Sequence, residues 1–349
     1  MPKDNAGEER SKGTANMSVN MKRVAAIAAG ALLLTAPPAG LAQSPEKKAH
    51  IGILVGGSLG QRGHLEQALL QGLREQGYVE GTNLVLERRY ADGRVERTPE
   101  FARELAAMKL DAVVTTCTPS TRAAQQATGS TPIVMAAVAD PVGQNLIASL
   151  ARPGGNITGL SSQAEDIMPK MLELFASVLP RPTTVAVLTE ARSDVHPRMW
   201  QALGPVAQTL KIRLVKIDVG RPSDVHLPAA FETAVRAKAG AIFVLPDEPL
   251  FLTRRAEILA LAAKHRLPAF YGAREYVDEG GLMSYGESLR TAYYNAAAYI
   301  SKVARGAKPG DMPVAQPTRF ELVVNMKTAK ALGITVPQSV LLRADQLIE

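Results

Sequence analysis

From His50 onward the chain repeats one pattern: a short, wholly apolar run, then a stretch with apolar residues at helical spacing. Residues 51–55 form such a run, and Leu65, Ala68, Leu69, Gly72 and Leu73 then recur at the helical period. Gly77 stands where that helix needs a left-handed residue to end. Residues 84–90 predict the next strand. Thr98-Pro99-Glu100 predicts a helix start, with a capping hydroxyl, a proline in the first turn and an acid that suits the dipole. Residues 110–116 and 132–138 continue the alternation. A second series follows, with apolar runs at 184–188, 212–219, 241–245 and 267–271. Strands this uniformly apolar are buried on both faces, as in parallel sheets covered by helices. Two series predict an α/β fold of two doubly wound parallel-sheet lobes joined by a hinge. Residues 151–162 read as the first connection. Residues 282–285 and a helix over 288–305 come later, and periodicity does not by itself show whether they return to the first lobe.

The first 42 residues stand outside this alternation. Met21-Lys22-Arg23 is a basic start, residues 24–36 are apolar, and Gly40-Leu41-Ala42 is a small-x-small cleavage signal. Together they predict a secretory signal cut after Ala42, its apolar core too short to span a bilayer. The polar residues 1–20 are unusual for such a signal and point to a start at Met17 or Met21. Gln43, not a cysteine, follows the cut, which argues against a lipid anchor. The lone Cys117 excludes an internal disulfide in an exported chain. Removing residues 1–42 takes away five Lys/Arg and three Asp/Glu, so the formal charge falls from +7 to +5. That excess suits a solvated surface, and no basic cluster with interleaved aromatics suggests nucleic acid. Nothing after Gln43 is long and apolar enough to cross a membrane.

In doubly wound sheets, ligands bind beyond the carboxyl ends of the strands. The stretch "VVTTCTPSTR" at residues 113–122 leaves a strand at such an end. Thr118 then caps a helix with Pro119 in its first turn, so hydroxyls and free N–H groups converge where an anionic group would be held. A simple capped helix with locally paired threonines is the alternative. Thr116 and Thr118 are therefore candidate ligand contacts. Asp140, after one strand, and Asp247, after another, each put a carboxylate at a strand's carboxyl end, either as a ligand contact or as a helix cap. Asp247 belongs to the second lobe, so it would face the cationic end of a zwitterion. Tyr271 and Tyr285 near strand ends offer aromatic surface, and Tyr285 is taken as a ligand contact. Trp200, inside a helical pattern, reads as core.

Gly56-Gly57-Ser58-Leu59-Gly60 matches the nucleophile elbow G-x-S-x-G and lies between a strand and a helix. Its context argues against catalysis, because a hydrolase places its elbow after several strands and Ser58 follows the first. Ser58 is expected in a glycine-rich, ligand-contacting loop; an exported serine hydrolase using Ser58 is the rival reading. The glycines miss the dinucleotide spacing, and no phosphate-binding loop occurs. Five scattered histidines and one cysteine give no metal pattern. No cofactor, metal or catalytic residue is expected. Cys117 reads as a small packing residue.

Residues 313–349, "PVAQPTRFELVVNMKTAKALGITVPQSVLLRADQLIE", closely resemble the C-terminal signature of a family of ABC-transporter substrate-binding proteins. "ASLARPGGNITGLS" at 148–161 and "DPV" at 140–142 are similar to it too, and the likeness spans His50 to Glu349. Ala315 and Glu248 depart from the pattern. The resemblance implies a periplasmic-binding-protein fold, type I-like, whose chain crosses between lobes three times. With it go residues 48–160 plus 276–308 in lobe 1 and 161–275 plus 309–349 in lobe 2. It also implies a periplasmic receptor that captures a small polar or amino-acid-like solute and delivers it to the membrane permease of an ABC transporter. A sensor of the same fold is the alternative. Ser58, Thr116, Thr118, Asp140, Asp247 and Tyr285 are the expected ligand contacts, in a chain expected to act as a monomer without nucleic acid.

Overall fold

The structure, a computed structural model, describes residues 48–180, 184–221, 224–246 and 249–349. The signal segment expected over residues 1–42 and its cleavage site lie outside the described residues, as do Asp247 and Glu248.

The first run is β1 (Ala49–Val55), α1 (Leu59–Glu75), β2 (Leu84–Tyr90), α2 (Thr98–Ala106), β3 (Ala112–Thr115), α3 (Thr118–Thr128), β4 (Ile133–Val138) and β5 (Ile157–Ser161). These strands form a parallel sheet in the order β2-β1-β3-β4-β5. Helix cover on both faces follows from the alternation of side chains along each strand. Ile53 and Val55 enter one buried cluster with Leu65 and Leu69 of α1. Leu54, between them, enters the opposite cluster with Phe101 and Leu105 of α2.

The second run begins with α4 (Met168–Val178), β6 (Thr184–Thr189), α5 (His196–Thr209) and β7 (Arg213–Asp218). A two-strand ribbon, β8 (Gly220–Arg221) and β9 (Asp224–Val225), precedes α6 (Leu227–Arg236) and β10 (Ala241–Val244). Then come α7 (Pro249–Thr253), α8 (Arg255–Lys264), β11 (Ala269–Tyr271), α9 (Arg274–Asp278) and β12 (Met283–Gly286). After α10 (Leu289–Ala304) the chain ends with β13 (Glu321–Asn325), α11 (Met326–Leu332), α12 (Gln338–Leu341) and β14 (Gln346–Ile348). The second sheet runs β14-β13-β12-β11-β10-β6-β7, with β13 antiparallel to β12. Its β7-β6-β10-β11-β12 part repeats the winding of the first sheet, and β13 and β14 extend its edge. Phe243 faces one buried cluster while Ile242 and Val244 face the other, so this sheet too is covered twice.

Three segments join the sheets. After β5 the chain enters α4, whose Met171, Leu172 and Phe175 belong to the second sheet's core. After β12 it returns through α10, whose Ala296 and Ile300 pack with β1. It leaves again beyond Val314, which is still buried in the first core. At this last crossing the Ala315 N–H donates to the Gly159 carbonyl at 2.9 Å, and Ser161 N–H donates to Ala315 at 2.9 Å. Two crossing segments thus run side by side; the side chain at Ala315 has no part in that pairing.

The lobe boundaries shift from those expected. Residues 276–286, expected in lobe 1, include β12, which pairs with β11 and β13 and so belongs to the second sheet. Residues 309–315, expected in lobe 2, are held on β5, where Thr158 donates to the Met312 carbonyl at 2.8 Å. Helix starts shift as well. Thr98 is the first helical residue of α2, its hydroxyl donating to the Val95 carbonyl at 2.7 Å, so it caps nothing.

Candidate functional site

The carboxyl ends of the two sheets face one partly open cavity lined from both lobes, the place where such sheets bind small molecules. Thr116 and Cys117 reach it from the turn after β3; Ser162 and Ile167 reach it from the first crossing. Pro246, Pro249, Phe251 and Tyr276 wall it from the second lobe, and Glu287 and Leu289 from the second crossing. The hinge therefore supplies part of the wall.

The hydroxyl-rich turn is mostly self-engaged. The N-cap of α3 is Cys117, one residue earlier than expected. Ser120 Oγ accepts from the N–H groups of Thr116 and Cys117, each at 3.2 Å, and donates to the Cys117 carbonyl at 2.9 Å. Thr115 and Thr121 pair at 2.7 Å. Thr118, fully buried, donates to the Ala139 carbonyl at 3.3 Å and is not a cap. Thr116 accepts from the Gly56 N–H at 3.4 Å across the β1–β3 switch point and is the threonine that lines the cavity.

Ser58 is the N-cap of α1, with an extended backbone at φ −107° and ψ 152°. It lacks the strained turn of a nucleophile elbow, and it is not among the residues that wall the cavity. Asp140 starts no helix; turns follow it, and its backbone sits at φ 44°. Its carboxylate accepts from the Gly143 N–H at 2.9 Å and pairs with Arg198 of α5, on the other lobe. Tyr285 points away from the cavity, its ring 5.8 Å from Phe320, against the core on the far face. The tyrosine at the cavity is Tyr276, which stacks on the buried Tyr271 at 4.3 Å. Trp200 packs on the core of the second lobe.

Three features escaped sequence reasoning. Glu287 is the one carboxylate lining the cavity among the described residues, with one oxygen shielded from solvent. His196, the first residue of α5, spans the β6–β10 switch point. Its Nδ1 accepts from the Glu190 N–H at 3.0 Å, which leaves the proton on Nε2 to donate to the Pro246 carbonyl at 3.2 Å. Burial pushes this imidazole down to about 4, so it is neutral, and it stacks on Phe251 of the cavity wall. The third is a polar cluster across the cleft edge. Beside Asp140–Arg198, Arg122 meets Asp194 at 3.2 Å, and Gln144 donates to the Asp194 carbonyl at 3.0 Å. Glu165, in the first crossing, is raised to about 6, chiefly by burial and then by the charges of Asp140 and Asp166. On another edge His64 lies 3.3 Å from Glu275. Among the described residues no group of His, Cys, Asp and Glu could hold a metal ion, and no helix is long and apolar enough to cross a membrane.

A family model described as ABC transporter substrate binding protein matches residues 53–348. The chain is 28% identical over 272 residues to a tyrosine-binding protein of Clostridioides difficile (strain R20291), covering 77% of this chain and 76% of that one. It resembles the crystal structure of a conserved domain protein from Vibrio cholerae, with TM-score 0.78, 29% identity, and 86% and 100% of the two chains covered. It is as similar to the ABC domain from Streptococcus pneumonia in complex with L-Trp, with TM-score 0.78, 28% identity and the same coverage.

Proposed function

This chain belongs to the ABC transporter substrate-binding protein family, and from that premise we propose that its cleft captures an amino-acid-like zwitterion for delivery to a membrane permease. The observation that carries this reading is the cavity itself. It is apolar and aromatic, walled by both lobes and the hinge, with Glu287 its one described carboxylate. An ammonium group pairs with Glu287; Asp247, which lies between Pro246 and Pro249 in sequence, is the further carboxylate we propose for it. A carboxylate lies against the start of α3 at Thr116 and Cys117, where the helix dipole favours negative charge. The side chain rests on Tyr276 and Phe251. The names of the relatives, one tyrosine-binding and one bound to L-Trp, support an amino acid with a large apolar side chain.

Binding without catalysis fits the relaxed backbone of Ser58. A fluorophosphonate probe should leave the protein unmodified, and labelling lost in Ser58→Ala would favour a hydrolase. Export follows from the signal at residues 1–42, so the secreted mass should match a monomeric chain starting at Gln43. The deciding experiment is calorimetry over the L-amino acids, purine-like compounds and amine-free aromatic acids. Saturable binding of an amino acid, lost when its amine is removed, is expected. Equal affinity for the amine-free acid or for a purine would overturn the zwitterion reading.

A further inference from the structure

A second concavity, an open groove, lies on the second lobe between α8 and α11. Ala262 and Ala263 of α8 form one wall, Ala331 and Leu332 of α11 the other, and Tyr271 and Leu282 line the space between. Small side chains on both helices leave room that larger ones would close.

Two features make this more than an apolar dent. Tyr271 is 1% exposed, yet no hydrogen bond reaches its hydroxyl from any described residue. Burial alone pushes its phenol up, with no partner contributing. The hydroxyl oxygen is not itself sealed from solvent, so it remains a donor that an acceptor in the groove can engage. Arg266 and Lys327, also at this groove, are exposed and enter no ion pair among the described residues. The nearby carboxylates Asp278 and Glu279 are already taken by Arg274 and Arg255. The groove thus combines an apolar body, a deep donor and a cationic mouth.

We propose that this groove is a second small-molecule site, separate from the cleft, for an aromatic carboxylate that carries a ring oxygen. The ring lies between the alanine walls, the ring oxygen accepts from the Tyr271 hydroxyl, and the carboxylate meets Arg266 and Lys327 at the mouth. The position of Tyr271 is held from both sides. Its ring stacks on Tyr276, which walls the cleft, and a Cβ at Gly281 would sit 2.7 Å from its Cε2. A ligand that engages Tyr271 therefore bears on the ring that walls the main cavity.

The test is an amide chemical-shift titration of the whole protein with 4-hydroxyphenylacetate, which lacks the amine proposed for the cleft ligand. Shifts are expected at Gly280, Gly281, Thr328 and Ala331, with millimolar or tighter affinity. Tyr271→Phe keeps the stacked ring and should weaken binding about tenfold, the value of one hydrogen bond. Phenylacetate, without the ring oxygen, should bind wild type and Tyr271→Phe alike. Ala331→Trp fills the groove and should abolish the shifts while the spectrum elsewhere stays native. Shifts confined to cleft residues such as Thr116 and Gly272, no saturation in the millimolar range, or a Tyr271→Phe affinity equal to wild type would each overturn the proposal.

Discussion

Glu287 and His196 stand at the cavity in different ways, one lining it and one holding its wall. A carboxylate that pairs with an ammonium in a closed cleft is largely desolvated. Removing one partner of such a pair costs about 3–5 kcal/mol, or roughly two to three and a half decades in affinity. Glu287→Gln keeps the shape, so calorimetry should show that loss with the thermal midpoint unchanged. His196 never meets the solute, but its two hydrogen bonds tie Glu190 to Pro246. His196→Phe keeps a ring on Phe251 and strands both backbone groups, at about 1–3 kcal/mol each. The pH dependence gives an independent check. The folded-state value near 4 lies below the ordinary 6.5, so the unfolded chain binds more protons between them. Stability from this group is full above about pH 6.5 and drains as pH falls towards 4. Glu165, raised to about 6, has the opposite slope between its ordinary 4.5 and 6, because there the folded state holds the extra proton. Comparing wild type with His196→Phe cancels Glu165. The wild-type midpoint should fall more steeply than the variant's from pH 7 to pH 5.

Strand ends, more than helices, shape the cavity. Gly272 follows β11 and Gly286 ends β12, and both line it. A Cβ at Gly286 would run into the Gly272 carbonyl oxygen, a backbone atom that cannot swing aside. Gly286→Ala should therefore wedge β11 from β12 where they meet the solute. Overpacking of this kind costs about 1–3 kcal/mol, and thermal unfolding should show it together with lost solute binding. Gly60, in the first turn of α1, is the control: nothing lies near its would-be Cβ. Gly60→Ala should be neutral or gain up to about 1 kcal/mol from helix propensity. Similar midpoints for the two variants would mean that the close approach of β11 and β12 does not constrain the fold.

An ion pair spans the two lobes at the edge of the cleft. Asp140 is nearly buried at 9% side-chain exposure, while its partner Arg198 remains 57% exposed. With one partner in solvent the attraction is largely screened, and a solvent-exposed pair is worth only about 0–1 kcal/mol, so a pair with one buried member tilts the lobe equilibrium more than that without locking it. Arg198→Gln should raise the ligand-free radius of gyration by small-angle scattering. It should also weaken solute binding a few-fold, in proportion to the closed population lost. The double change with Asp140→Asn should add little beyond either single one, as expected when both act through one contact. Unchanged scattering and affinity in all three variants would leave the pair without influence on closure.

What the sequence determined by itself was the periodic part. Ile53, Leu54 and Val55 had to be buried on alternate faces, and runs of that kind can be satisfied only by sheets covered on both sides. Thr116 was legible for the same reason, since the end of such a strand opens on the crevice. The C-terminal signature carried the family and the three crossings. Tertiary structure decided which chemistry meets at the cavity. Tyr271 and Tyr285 both stand near strand ends, yet the tyrosine that lines the cavity is Tyr276 of α9, stacked on Tyr271, while Tyr285 packs beside Phe320. Asp140 looks like a helix cap until α5 of the other lobe brings Arg198 against it. His196 carries no local signal, because its partners Glu190 and Pro246 become neighbours only when β6 and β10 pair side by side. Contacts between residues far apart in sequence depend on strand order and lobe closure, and no periodicity encodes either.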